Sequence, residues 1–439
     1  MAFWLFLLLN AVLLIRPEEL FQGPDQPVRL YLIVMCLCLV AAAPRVAGQL
    51  TFRALADRPI TVCIFGLLGA VVLSLLVRGL WGRALEQGGE FAKVVAYYLL
   101  LVAVVDTPGR FRELLGWLVA LVVVVATVGL LQFHGFIDIE LMRPVEQRIY
   151  DESTGQVITF PRLQSIGIYN DPNDLCLILT TGVLACLALS ATAAKFWARV
   201  AWLAPIALFG YAIMLTQSRG GLLGLAAGLF TLAFIRLGPK RGIPLGIVGM
   251  AALLAVFAGR QTDFTLSQED TLQGRLQLWS EGLVMLWPNL ATGIGAGEFQ
   301  ERVGLVAHNS FVQVYVETGL LGGTLFAGAF FLAARGVYRL TRHVGYWAHD
   351  PEFTGLRPFV LAMVVGYAAG AFSITRDYVV QTYMILGLAV AYISICLPDP
   401  PREYQCTLAT WTRVALVGIG VLVVIKVLTQ ALVQFGGAG

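Results

Sequence analysis

Thirteen apolar runs, most close to the length needed to cross a bilayer, constrain what this chain of 439 residues can fold into. They lie near residues 2–15, 28–43, 59–77, 91–105, 114–133, 175–194, 199–216, 220–236, 243–258, 311–334, 358–375, 379–397 and 413–434. A spanning helix takes about 20 apolar residues. The fold expected is therefore all-α, a polytopic membrane helical bundle of about 12–13 transmembrane helices. It is read as one integral membrane domain over 1–439. The lower count applies if the first run, which is short, or the last, set off by a polar hinge, does not span. Charged residues make up 13 % of the chain, about half of what soluble domains carry. No soluble domain, long repeat or low-complexity segment interrupts the runs, and a net charge of +3 is too small to point to nucleic acid. The first residues, MAFWLFLLLNAVLLIRPEE, lack a basic start and a small-residue cleavage site, which favours a membrane segment over a signal peptide.

The loops set the orientation. Arginine and lysine mark cytoplasmic loops. With the N-terminus inside, the inward loops carry Arg45, Arg53 and Arg58; Arg110 and Arg112; Lys195 and Arg199; Arg236, Lys240 and Arg241; Arg335, Arg339 and Arg342; and Arg402. Two loops too long for simple connections, 134–174 and 259–310, then both face outward. In them acids outnumber bases, among them Asp138, Glu140, Glu146, Asp151, Glu152, Asp171 and Asp174.

Against that topology, a few outward polar residues stand out. Arg219, in TQSRGGLLGL, sits between two apolar helices on the face where positive charge is disfavoured. Gly220 and Gly221 beside it permit close approach of backbone or ligand. Arg275, in GRLQLWSEGLVML, precedes Leu276, Trp279, Leu283 and Leu286 at helical spacing. That part of loop 259–310 is expected to be an amphipathic helix along the membrane interface, with Arg275 either touching lipid phosphate or converging with Arg219. Two guanidinium forks suit a diphosphate.

His308 follows the glycines Gly293, Gly295 and Gly297 and precedes Asn309, Ser310 and an apolar helix. The other histidines are His134 at a helix end and His343 and His349 in an inward loop. A neutral imidazole at the water–lipid boundary accepts a hydroxyl proton near neutral pH; no second His or Cys lies near it to make a metal site. Of the seven cysteines, Cys36, Cys38, Cys63, Cys176 and Cys186 fall in or beside apolar runs and read as small hydrophobes. In SIGIYNDPNDLCLIL, Asp171 and Asp174 are helix-capping residues that also suit orienting a histidine or holding a sugar hydroxyl. Asn309 joins them as a candidate substrate contact. Arg376–Asp377 is an outward pair of the same kind, or a structural ion pair.

Together TQSRGGLLGL, GRLQLWSEGLVML with GIGAGEF, and HNSFVQVYVETGLLGG resemble the O-antigen ligase and Wzy-type O-antigen polymerase family of bacterial membrane glycosyltransferases. The matching core runs from about Thr216 to Gly323, within a wider family region 175–334, and the NDPND helix start resembles members found with exopolysaccharide systems. The N-terminal half matches in hydropathy alone. The resemblance implies a GT-C-type helical bundle, sited in the bacterial inner membrane with a partly helical periplasmic loop, 259–310, over the site. It implies metal-independent transfer without a cofactor, from a glycan on undecaprenyl diphosphate to a glycan or lipid acceptor, and it allows other polysaccharide-assembly membrane proteins as partners. By position it assigns Arg219 and Arg275 to the diphosphate and His308 to the acceptor hydroxyl; inversion at the sugar follows from attack opposite the leaving group. The competing class is a flippase or transporter of lipid-linked sugar. That class favours charged or broken helices near mid-membrane, whereas Lys426 is the main charge inside these runs.

Overall fold

A computed structural model describes residues 1–17, 29–151, 156–258, 265–340 and 350–436. Glu152, Arg342, His343 and His349 lie outside them. The chain is a helical polytopic bundle: among the described residues ten helices are long and apolar enough to cross a membrane, and two further apolar helices are shorter. The elements that matter below are α1 (Ala2–Ile15), α2 (Leu30–Gln49), α3 (Pro59–Leu76), α4 (Trp81–Val104) and α5 (Pro108–Phe133). A hairpin, β1 (Val145–Asp151) with β2 (Gln156–Arg162), follows in loop 134–174. Then come α6 (Pro172–Thr192), α7 (Leu203–Thr216), α8 (Arg219–Ala258), α9 (Thr265–Leu286), α10 (Ser310–Arg339), α11 (Arg357–Ala371), α12 (Val380–Cys396) and α13 (Leu408–Gly436). Each apolar run of the sequence has a helical counterpart among these.

Helix α8 accounts for two of the runs. It breaks at Gly238 (φ 73°, ψ 171°), and the chain then doubles back. A Cβ on Gly242 would lie 2.6 Å from the Ala233 carbonyl oxygen, and one on Gly246 would lie 2.4 Å from the Phe230 ring. In an unbroken helix residues 233 and 242 stand about 13 Å apart. Two antiparallel limbs are present, joined where Arg236, Lys240 and Arg241 cluster. The first limb packs on α11 through small residues: the backbones meet so closely that a Cβ on Gly224 would lie 2.9 Å from Gly366 O, and one on Gly366 would lie 2.8 Å from Gly224 O. Such small-residue seams let helix backbones approach in lipid, and this one fixes where Arg219, at the head of the limb, stands.

Helix α10 is central, packing on α3, α9, α11, α12 and α13. It is interrupted at Gly319 (φ 68°, ψ −163°), and the glycine-rich stretch before His308 fills the interruption. Ile294 N–H donates to Val316 O (2.8 Å), Gly295 N–H to Glu317 O (2.9 Å), and Leu320 N–H to Leu290 O (2.8 Å). Broken helices survive at membrane depth when protein groups satisfy the freed backbone, and residues 290–295 do so here. On the far side, Arg78 Nε donates to Gly293 O (3.1 Å) and Ala296 N–H donates to Ser74 Oγ (3.1 Å), tying this plug to α3 and the turn after it. A Cβ on Gly319 would sit 2.4 Å from Ala291 O, at a φ that L-residues avoid. Gly319→Ala is therefore expected to destabilise the protein by more than about 1 kcal/mol, read as a lowered melting temperature in detergent. A melting temperature equal to wild type would contradict the plug.

Helix α9 corrects one expectation. Its apolar stripe is buried in protein, not laid on lipid: Leu276, Leu283 and Leu286 are buried, the helix packs on α10 and α13, and Trp279 Nε1 donates to Ala307 O (2.7 Å). Lys426, the charge within the last apolar run, lies with its ammonium 4.2 Å from the Trp287 ring centroid.

Candidate active site

The HNS segment is clamped from four sides. Trp279 holds the carbonyl of Ala307, and the Ala307 N–H donates to Gln313 Oε1 (2.9 Å). Asn309 Oδ1 caps α10 by accepting from the N–H groups of Phe311 (3.0 Å) and Val312 (3.2 Å). Ser310 donates from both its N–H (3.0 Å) and its hydroxyl (2.6 Å) to Ile374 O, while Arg376 N–H donates back to Ser310 Oγ (2.8 Å). Between these anchors His308 is held in the left-handed region at φ 49°. Such a conformation in a non-glycine residue persists where surroundings over-determine it, and it is frequent at functional sites. Gln217, two residues before Arg219, has φ 51° as well.

Electrostatically His308 faces one family of charges. Burial pushes its pKa below the usual histidine value, the Arg275 guanidinium pushes it further down, and the Asp171 carboxylate opposes both. The ring is thus neutral at neutral pH. Arg275, on α9, is half-buried and is itself disfavoured as a cation by burial and then by the Arg219 charge, although a guanidinium stays protonated throughout. Arg219 is exposed at the head of α8. Arg219, Arg275 and His308, about 90 residues apart in the chain at the extremes, therefore share one end of the bundle.

Both long loops contribute to that end. Asp171 caps α6, accepting from Asn173 N–H (2.8 Å) and Asp174 N–H (3.3 Å), and its charge reaches His308. Asp174 is buried and engages Arg376 through two carboxylate oxygens, so the partner of Arg376 is Asp174 in place of its sequence neighbour Asp377. Asp377 is buried, and burial raises its pKa to about 7. Asn309 is buried, and its Nδ2 has no hydrogen-bond partner among the described residues.

One residue escaped the sequence reading. Arg162, at the end of β2, donates from Nε to Thr216 O (2.9 Å), from Nη2 to Asn173 Oδ1 (3.1 Å) and from Nη1 to Gln147 Oε1 (3.3 Å). Leu163 N–H donates to Leu215 O (3.0 Å), so the hairpin satisfies carbonyls left open at the end of α7 and braces the turn that presents Arg219. The charges of Asp171, Arg275 and Arg219 all act on Arg162. Nothing in the sequence links an arginine in a polar hairpin to a turn 54 residues later.

With that geometry in place, comparison with known families is decisive for one part of the chain. Residues 204–327 match the family model described as O-antigen ligase. That segment is an O-antigen ligase domain. It carries Arg219, Arg275 and His308, runs from α7 into the middle of α10, and includes the plug and the HNS segment, while the 374–376 turn of the clamp lies beyond it. No curated protein matches the chain. The chain is thus a multi-pass helical bundle whose matched segment supports a membrane enzyme of the O-antigen ligase and polymerase type. The N-terminal helices α1–α6 lie outside the O-antigen ligase domain, yet α6 brings Asp171 and Asp174 to it.

Proposed function

We propose that this protein transfers a glycan from undecaprenyl diphosphate to an acceptor hydroxyl at the periplasmic face of the bacterial inner membrane, without a metal and with inversion at the sugar. The observation that carries the reading is a neutral, half-buried His308, locked at φ 49° and facing Arg275 and, beyond it, Arg219. In this mechanism the imidazole takes the acceptor O–H proton. The acceptor oxygen bonds to the anomeric carbon as the bond from that carbon to the diphosphate oxygen breaks on the opposite side. The electron pair leaves on the diphosphate, where Arg219 and Arg275 meet the growing charge. Preorganised charge of that kind is usually a large term in catalysis. Asp171 steadies the imidazolium formed midway, Asn309 offers its unpartnered Nδ2 to the sugar, and Asp174 acts on the site through Arg376. The periplasmic assignment rests on the alternation of basic loops, together with the meeting of the two acid-rich loops at one end.

The test is the glycan left on undecaprenyl diphosphate in a strain lacking the protein, complemented with wild type or His308→Ala. Single repeat units accumulating identify a polymerase, and long chains stranded on the carrier identify a ligase. Lipid-linked sugar retained on the cytoplasmic face, or full rescue by His308→Ala, would sink the transferase reading in favour of transport.

A further inference from the structure

A line of polar side chains runs down the first turns of α10. Asn309, Gln313 and Glu317 stand four residues apart, so they share one face of the helix. All three are buried, Glu317 to 1 % exposure. Eight residues of helix put Glu317 about 12 Å deeper than Asn309. An ionisable side chain at that depth is costly, and in a membrane segment it points first to function. Its Oε2 is buried without a hydrogen-bond partner among the described residues, which adds to the cost. An apolar side chain would fill the position at no such penalty.

The line is wired to the backbone that presents His308. Glu317 Oε1 accepts from Gln313 Nε2 (2.5 Å), and Gln313 Oε1 accepts from the Ala307 N–H (2.9 Å). A backbone N–H can only donate, so the amide oxygen must face Ala307 and the amide nitrogen is left for Glu317. Trp279 holds the carbonyl of the same alanine (2.7 Å). Both peptide groups of Ala307 are therefore pinned, and the second of them leads directly into the φ 49° of His308. At the deep end Glu317 is rooted in the plug, because its carbonyl accepts the Gly295 N–H (2.9 Å).

We propose that Glu317 and Gln313 are positioning residues for His308: Glu317 sets the amide of Gln313, and that amide sets the Ala307 peptide which turns the imidazole towards the site. The base role of His308 rests on the transfer reading above; the hold on the residue does not. A buried acid deep in the bundle then acts on the chemistry through a glutamine and a stretch of backbone.

Two readouts on Gln313→Leu, Glu317→Leu and Glu317→Gln test this. The first is transfer in membranes of the deletion strain, with the lipid-linked glycan that accumulates there as donor. The second is carbethoxylation of His308 by diethyl pyrocarbonate in the purified full chain, followed by peptide mass spectrometry. Both leucine variants should lose about 10–10²-fold in kcat, the cost of a small misplacement. KM for the donor should stay near wild type, since Arg219 and Arg275 are untouched, and His308 should react faster once released from its half-buried pose. Glu317→Gln keeps an acceptor oxygen for Gln313 and should restore most of both properties. Wild-type kcat and reactivity in both leucine variants, with His308→Ala inactive, overturn the proposal and leave the base reading intact. Faster carbethoxylation in both leucine variants, with His308→Ala fully active, keeps the positioning and removes the base reading. Glu317→Gln as poor as Glu317→Leu would mean that the charge matters, through Asp377, whose field reaches Glu317. A raised KM at unchanged kcat would place the pair in donor binding; either result overturns the proposal.

Discussion

Replacing His308 with Ala is expected to lower glycan transfer by about 10²–10⁴-fold, the usual worth of a positioned general base, without loss of the folded protein. The clamp around the residue is made by Trp279, Gln313, Asn309, Ser310 and the 374–376 turn, none of which uses the imidazole. Loss of protein from the membrane in His308→Ala would therefore count against a chemical role. The pH dependence is the sharper readout. Burial and Arg275 depress the histidine pKa below 6.5, so the base remains neutral into mildly acid solution and kcat/KM should fall only below that value. Arg275→Ala removes a positive charge that disfavours imidazolium, and it should move the acid limb upward. Asp171→Asn removes the opposing negative charge and should move the limb further down. Profiles of the two variants that shift in the same direction would refute this arrangement.

The second large effect is expected at the arginines. Arg219→Ala and Arg275→Ala should each cost about 10²–10³-fold in transfer, the range seen when one preorganised donor to a developing charge is removed. Arg275→Lys should recover only part of this, because an ammonium keeps the charge and loses the planar fork. The double alanine variant should lose less than the product of the single losses, since both groups serve one leaving group. Single-turnover transfer with a lipid-diphosphate donor measures these quantities. Wild-type rates for either alanine variant at normal expression would remove the diphosphate assignment.

How far the sequence could be read depended on whether a signal was local. Apolar length located each membrane-length apolar helix among the described residues, and even the two limbs of α8 appeared as separate runs, because the turn at Gly238 is marked by glycine, proline and positive charge. His308 stood out by its glycine-rich approach, and the structure explains that composition: Gly293 and Gly319 face each other across the break in α10 at distances no Cβ tolerates. The stripe of α9 had the right period but an unforeseen partner, since α13 comes from more than a hundred residues later in the chain. Arg376 was noticed beside Asp377, but its mate, Asp174, is 202 residues away. Arg162 was hidden for the same reason: its meaning lies in residues brought together by tertiary packing.

The interruption in α10 also bears on how such chains are inherited and recombined. Residues 290–295 and the helix they complete are halves of one hydrogen-bonded object. Neither half is a finished structure in a bilayer without the other. A hybrid that exchanges the glycine-rich stretch alone joins two halves made for different partners. A hybrid that carries Leu290 to Leu321 across as one block preserves the joint, and with it the setting of His308. In this protein the smallest transferable module is therefore a loop and a broken helix together, and the histidine travels inside it.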